Sequence, residues 1–204
     1  MYKVFFNDRT IYLMDEMPDI SGRENAYICT FLQKDDLEPQ LRNYLQPGRE
    51  GDLYVYSAEQ SNSFDIFRSC FKNIPAAGGL VKNQQDEYLI IFRRGRWDLP
   101  KGKAEGKETP EETALREVKE ECNLEELSLV EHLTTTYHIY HLDERAVLKQ
   151  TEWYLMQYSG TLEPTPAIKE DIVKTVWMNP SQIKEITGNT FPSILDVIAA
   201  QMLN

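Results

Sequence analysis

Five charged side chains, Glu108, Arg116, Glu117, Glu120 and Glu121, stand at fixed intervals in the segment GKAEGKETPEETALREVKEECNL between Gly102 and Leu124. Glu117, Glu120 and Glu121 fall at i, i+3 and i+4, so on a helix their side chains are neighbours. Like charges at that spacing repel, and near a helix C-terminus the dipole disfavours further anions by about 0.3–1 kcal/mol each. A divalent cation reverses that argument, because Mg²⁺ or Mn²⁺ is held by carboxylates, waters and substrate phosphates. Arg116 could orient one of these acids as an ion pair. The plainer alternative, a solvated acidic helix face, would suit a generic run of Glu and Lys.

The element that must carry these acids is a helix starting near residue 110. Thr109 caps it, Pro110 presets φ at the first helical position, and Glu112 completes a capping box. Ala114, Leu115, Val118 and Cys122 recur at steps of three and four, giving one apolar stripe to pack on a core.

The residue order, Gly102, five residues, Glu108, seven residues, then Arg-Glu-aliphatic-x-Glu-Glu-x-small-aliphatic, resembles the Nudix box of the Nudix (MutT-like) hydrolases. Its one departure is Asn123, where that family usually carries Gly. Asn tolerates the left-handed conformation required just past a helix end, so the turn is expected to survive. The preceding stretch Trp97-Asp98-Leu99-Pro100-Lys101-Gly102-Lys103 looks like the lead into such a box.

The resemblance implies roles for matching positions. Glu117, Glu120 and Glu121 would bind divalent metal or act as base, with the choice of base between Glu117 and Glu121 left open. Glu108 would be the outlying acid, Arg116 would orient the catalytic glutamate, and the main-chain carbonyl of Lys101 would be a further metal ligand. Glu170, seven residues before Trp177, occupies a loop position where related enzymes often place one more metal-binding acid, and an ordinary solvated charge is an equal reading of it.

Arg93, Arg94, Arg96, Lys101 and Lys103 form the one basic cluster of an acidic chain and are candidates for phosphate contact, Lys101 and Lys103 above the others. Tyr137 and His138 are candidates for contact with a nucleotide base, since aromatic faces stack on bases. Alternating strand residues point to opposite faces, so one of the sets Tyr137, Ile139, His141 and His138, Tyr140 would face the core or solvent instead. Trp97 is expected to pack into the core. Lys149 and Trp153 are weaker substrate candidates, and a zinc site from His138 and His141 lacks further ligands.

The net charge of −11 over 204 residues argues against general nucleic-acid binding, which needs clustered Lys and Arg. No apolar run approaches the roughly 20 residues of a membrane-spanning helix, and the N-terminus lacks a basic region followed by an apolar one. A cytoplasmic protein is therefore expected, with Cys29, Cys70 and Cys122 as buried free thiols.

The chain is expected to divide near residue 75. Residues 1–75 read as a small α/β appendage of unknown role: a hairpin around Asn7-Asp8-Arg9-Thr10, strands at 26–32 and 52–56, and helices at 37–45 and 63–72. Residues 76–204 read as the Nudix domain, with strands at 76–81, 88–93, 127–135, 136–141, 151–158 and 172–177, a variable loop at 142–148, and a last helix at 192–202. The resemblance implies an α/β/α sandwich on a mixed sheet, with dimers common in the family and a homodimer one role for the appendage.

The implied activity is Mg²⁺- or Mn²⁺-dependent hydrolysis of a nucleoside diphosphate linked to a group X, such as a dinucleoside polyphosphate, by attack of water on the pyrophosphate link. The partner would then be a small nucleotide or polyphosphate substrate. The alternative is a Nudix-fold nucleotide sensor or interaction protein that binds without turnover.

Overall fold

The computed structural model describes residues 1–23, 25–57 and 62–202. The chain forms two compact units, one of residues 1–74 with 137–149 and one of residues 75–136 with 150–204.

In the first unit, strands β1 (Tyr2–Phe6) and β2 (Arg9–Met14) pair antiparallel around Asn7-Asp8, with Asn7 at φ 53°. Strands β3 (Tyr27–Phe31) and β4 (Leu53–Ser57) are parallel, and β4 also runs parallel to β2. Parallel neighbours cannot be joined by a tight turn, and helix α1 (Lys34–Tyr44) makes the crossover. Its Leu37 and Leu41 pack with Val4, Ile11, Val55 and Phe67, the last from helix α2 (Ser63–Ser69).

The second unit holds strands β5 (Lys72–Lys82), β6 (Tyr88–Arg93), β7 (Arg96–Asp98) and β8 (Lys101–Lys103), followed by helix α3 (Pro110–Cys122). Then come β9 (Leu127–Leu142) and β10 (Arg145–Tyr158), whose residues 137–149 belong to the first unit, and β11 (Ile172–Met178), α4 (Pro180–Ile186) and α5 (Pro192–Met202). The strand order is β11-β6-β5-β10-β9, with β7 on β6 and β8 on β5.

Side-chain alternation sorts this sheet into two apolar layers. Leu89, Ile91, Tyr154 and Met156 join Ala114, Val118 and Cys122 of α3 on one face. Ile90, Trp153 and Leu155 join Ile183 of α4 and Ile194, Val197 and Ile198 of α5 on the other. The expected α/β/α sandwich is thereby formed.

In its elements the structure differs from the sequence expectation in four places. The strands expected at 127–135 and 136–141 are the single strand β9. The variable loop expected at 142–148 shrinks to Asp143-Glu144, both at positive φ (47° and 64°). Such a two-residue turn suits the twist of a hairpin, but Asp-Glu lacks the Asn-Gly or Asp-Gly signature that announces it. Residues 137–149, expected within the C-terminal domain, group with the first unit, where Tyr137 and His138 of β9 pair parallel with Val4 and Phe5 of β1. Helix α4 was not foreseen, although Asn179 caps it by accepting from the N–H groups of Ser181 and Gln182. Among the described residues no helix is long and apolar enough to cross a membrane. Cys29 and Cys122 are buried free thiols as expected, whereas Cys70 is only partly buried.

Candidate active site

Helix α3 is fixed at both ends by its own sequence. Thr109 Oγ1 accepts from Glu112 N (3.2 Å) while Glu112 Oε2 accepts from Thr109 N (2.9 Å), closing the capping box. Asn123 ends the helix in the left-handed region, φ 53° and ψ 46°, its N–H donating to the Lys119 carbonyl at 2.8 Å. A helix end leaves its last carbonyls without intrahelical partners. Those of Glu121 and Cys122 accept instead from Ala167 N (3.0 Å) and Thr165 N (2.9 Å), which ties the segment leading to Glu170 onto α3.

Arg116 gathers three of the acids. Its Nε and Nη2 bond the two oxygens of Glu108 at 2.7 and 2.9 Å, and Nη1 reaches Glu117 Oε1 at 2.9 Å and Glu120 Oε2 at 3.2 Å. Its Nη2 also donates to the Lys103 carbonyl at 2.9 Å. Glu108 accepts further from Glu105 N and Thr113 Oγ1. These bonds, Arg116 first, hold its carboxyl down at about 2. Glu108 thus serves as the anchor of Arg116, and Arg116 fixes Glu117.

Glu117 is half-buried against Gly102, where any Cβ would overlap its carboxylate. Burial raises its pKa, Arg116 draws it back, and Glu120 and Glu170 push it up again, for a net rise. Glu120 points outward, its side chain 62% exposed.

Glu121 lies on the buried stripe of α3, seven residues after Ala114 and three after Val118, and is 2% exposed. Its Oε2 accepts from Lys101 N at 2.9 Å, and its Oε1 lies 3.6 Å from Arg93 Nη1. Burial pushes its carboxyl up to about 7, against the pull of Arg93 and Lys101 and with a small push from Glu117.

Beneath Glu121 lies Asp98, which the sequence reading passed over. It is 2% exposed and binds Arg93 Nε at 2.7 Å, Lys101 Nζ at 2.6 Å through both oxygens, and Leu99 N at 2.8 Å. Burial alone would raise its pKa, but Lys101 and Arg93 outweigh it and hold the carboxylate ionised. A lone acid set among five basic residues was the signal available in the sequence.

The remaining candidates are distributed as follows. The Lys101 ammonium is held by Asp98 and the Leu99 carbonyl, while its main chain pairs with Gly78 and reaches Glu121. Lys103 is exposed at the end of β8. Arg94 bonds Asp171 through Nε and Nη2 at 3.3 Å, and the Arg96 guanidinium lies over the Phe191 ring. Glu170 influences both Arg93 and Glu117 electrostatically. Tyr137 meets the rings of Tyr2 and Phe64 in the first unit, and His138 lies beside Tyr140. Both belong to the first unit. Trp97 packs edge-on to Phe92 in the α5-side layer, and the Trp153 indole, 1% exposed, donates to Thr136 Oγ1.

The donor set suits a hard divalent cation. Two carboxylates, Glu121 buried and Glu117 half-buried, both raised in pKa chiefly by burial, with Glu121 also pushed up by Glu117, are oxygen ligands whose ionised forms a cation would favour. Among the described residues no three His, Cys, Asp or Glu side chains stand together as a group that could by itself hold a metal ion.

Comparison with known proteins places this geometry in a family. The model of the NUDIX domain matches residues 72–195. A Mycobacterium tuberculosis (strain CDC 1551 / Oshkosh) protein assigned as mutator protein MutT4 is 40% identical over 96 residues, 42% of this chain and 38% of that protein. The chain therefore aligns with well under half the length of that relative. Among solved structures, a C. elegans Ap4A hydrolase binary complex superimposes with TM-score 0.50 at 20% identity, covering 62% of this chain and 93% of the other. The E. coli dihydroneopterin triphosphate pyrophosphohydrolase does so with TM-score 0.50 at 18% identity, over 62% and 92%. At such identities the two structures share a fold with this chain. With the family model spanning more than half of its residues, and Glu117, Glu120 and Glu121 standing on α3, the chain belongs to the NUDIX family.

Proposed function

We propose that this protein is a Mg²⁺- or Mn²⁺-dependent pyrophosphohydrolase, cleaving a nucleoside diphosphate linked to a group X with water as the nucleophile. The observation that carries the reading is the pairing of Glu117 and Glu121, one helical turn apart, both held in place by hydrogen bonds, the first half-buried and the second buried. A binding module has no need of two raised carboxylates so fixed.

In this reading Glu117, Glu120 and Glu121 supply carboxylate oxygens to the cation, with the Lys101 carbonyl and Glu170 as further ligands. The ion, when bound, neutralises charge on the phosphate oxygens and lowers the barrier to attack by water. Either Glu117 or Glu121 takes the proton of that water, and burial suits both, because a base works best with a pKa near the working pH. Arg116, anchored by Glu108, keeps Glu117 in one rotamer. Lys103, Arg94 and Arg96 are the side chains assigned to the phosphates of the substrate. The Lys101 ammonium, committed to Asp98, acts through its own main chain.

The test is release of phosphate or nucleotide from diadenosine polyphosphates, ADP-ribose, nucleotide sugars, nucleoside triphosphates and diphosphoinositol phosphates, with Mg²⁺ or Mn²⁺ and with the ions chelated. Wild type is compared with Glu120→Gln. That substitution should abolish turnover and leave the fold intact, since an exposed ion pair contributes only about 0–1 kcal/mol. Metal-dependent turnover of one compound class by wild type alone supports the proposal and names X. Tight binding without turnover would replace it with the sensor.

A further inference from the structure

We propose that Asp98 is a positioning residue for Glu121: by binding the side chains of Arg93 and Lys101, it keeps their charge from closing on Glu121, which stays able to hold a divalent cation. The second half of this inference rests on Glu121 being a metal ligand, as proposed above.

Four charges meet in this layer, Arg93 and Lys101 against Asp98 and Glu121, and they balance formally. Their distances are unequal. Arg93 approaches Asp98 at 2.7 Å but Glu121 only at 3.6 Å, beyond hydrogen-bond range. Lys101 Nζ takes both oxygens of Asp98 at 2.6 Å and the Leu99 carbonyl at 3.2 Å, so its ammonium is spent away from Glu121. Only its backbone N–H reaches Glu121. Both cations therefore satisfy themselves on an acid that is 2% exposed, and the neighbouring acid receives one neutral donor and a distant positive charge.

Removing the charge of Asp98 leaves two buried cations without their partner. A buried charge must find another, and the nearest ionised group to the Arg93 guanidinium is Glu121, a rotamer adjustment away. A charge-assisted bond of about 2.8 Å would form there and occupy the oxygen that the proposal gives to the metal. Asp98 as simple structural glue would predict a loss of stability and no such competition.

The experiment is Mn²⁺ titration of the metal-free full chain, followed by electron paramagnetic resonance of the free ion, with wild type, Asp98→Asn, the double variant Asp98→Asn/Arg93→Gln, Arg93→Gln and Glu121→Gln. Asp98→Asn is expected to weaken Mn²⁺ binding about 10–100-fold, in the range of partners that orient metal ligands. The double variant should recover most of that loss, a coupling that independent sites would not show. A crystal structure of Asp98→Asn should find Arg93 hydrogen-bonded to Glu121. Unchanged Mn²⁺ binding by a folded Asp98→Asn, or a double variant no better than the single one, overturns the proposal. Should Asp98→Asn fail to fold, Arg93→Gln decides: retained or tighter binding supports the proposal, and a loss equal to that of Glu121→Gln overturns it. If Glu121→Gln binds Mn²⁺ as wild type does, the assignment of Glu121 as ligand fails. The position of Arg93 in the Asp98→Asn crystal then decides the positioning role by itself.

Discussion

Glu117 and Glu121 stand one turn apart on α3 and are held in opposite ways. Glu117 is supported from its own helix: Arg116 is its immediate neighbour, and Glu108, which anchors Arg116, lies just before the helix begins. Glu121 is supported from the sheet, through the Lys101 amide and Arg93, both fixed by Asp98. The first support is partly exposed and open to solvent screening, whereas the second is dry. A local clamp can adjust as substrate arrives. A buried network sets position and charge before anything binds, and its cost falls on the stability of the metal-free protein.

The largest effect that would sharpen this contrast is expected from Glu121→Gln. Activity should fall about 10³-fold, within the range for losing a positioned acid or base. Stability should move the other way. The Glu121 carboxyl is raised from 4.5 to about 7 in the fold, so the metal-free protein binds this proton more tightly folded than unfolded. That contribution is fully present below pH 4.5 and lost as pH rises through 7. At pH 8 the ionised form therefore costs on the order of 3 kcal/mol, which a neutral Gln avoids. The expected result is a Tm several degrees above wild type at pH 8 in the presence of chelator, with the gap closing toward pH 4.5. An equal or lower Tm at pH 8 would break the contrast, because Glu121 would then be no more burdened than Glu117.

A smaller effect, confined to the other carboxylate, is expected from Gly102→Ala. Gly102 has no need of positive φ, and the obstacle to a Cβ there is the carboxylate of Glu117. The side chain can swing aside, so folding should be nearly untouched. The displaced carboxylate leaves Arg116, and a shift of about 1 Å in a catalytic group can lower turnover by about 10². Kinetics alongside a melting curve check this: a loss of kcat with unchanged Tm places the whole effect on Glu117. A fall in Tm comparable to that of a core substitution would mean that the local clamp is structural as well.

The two supports also differ in how readable they were. The helix start at Thr109 follows from local capping signals and the ion pair of Arg116 with its neighbouring acids from their closeness in sequence, whereas the end at Asn123 came with the resemblance to the Nudix box. The burial of Glu121 was within reach too, since it continues the stripe of Ala114 and Val118, but a charged residue masks itself in a hydrophobic pattern. Asp98 stood out only as an acid among basic residues, and the pairing of its network was not legible. It depends on β7 folding back on β6 and β8 pairing with β5, and strands of three residues leave no periodicity to detect. Lys101 and Arg93 read as basic residues beside a phosphate site for the same reason, their acid partner being set by tertiary pairing. The grouping of 137–149 with the first unit was hidden likewise, behind a two-residue turn whose Asp-Glu sequence does not announce its φ values.

Asn123 offers the finest test, because it closes the turn that carries Glu121 and lies about four turns from Glu108, which anchors the Arg116 clamp at the helix start. Its φ of 53° is a conformation that Asn and Gly reach easily and that other residues occupy at a penalty of about 1–2 kcal/mol. Asn123→Gly should leave activity within about twofold and stability within a few tenths of a kcal/mol, as both residues suit this cap. Asn123→Ala should lower stability by about 1 kcal/mol. If that strain is relieved by fraying the last turn, the carbonyls of Glu121 and Cys122 lose their bonds to Ala167 and Thr165, and the segment bearing Glu170 loosens with them. Hydrogen exchange at the amides of Thr165 and Ala167 should then quicken while that at Glu112 and Thr113, near the capping box, stays as in wild type. Equal acceleration at both ends would mean that α3 responds as one rigid body and that its two carboxylates are not separately supported.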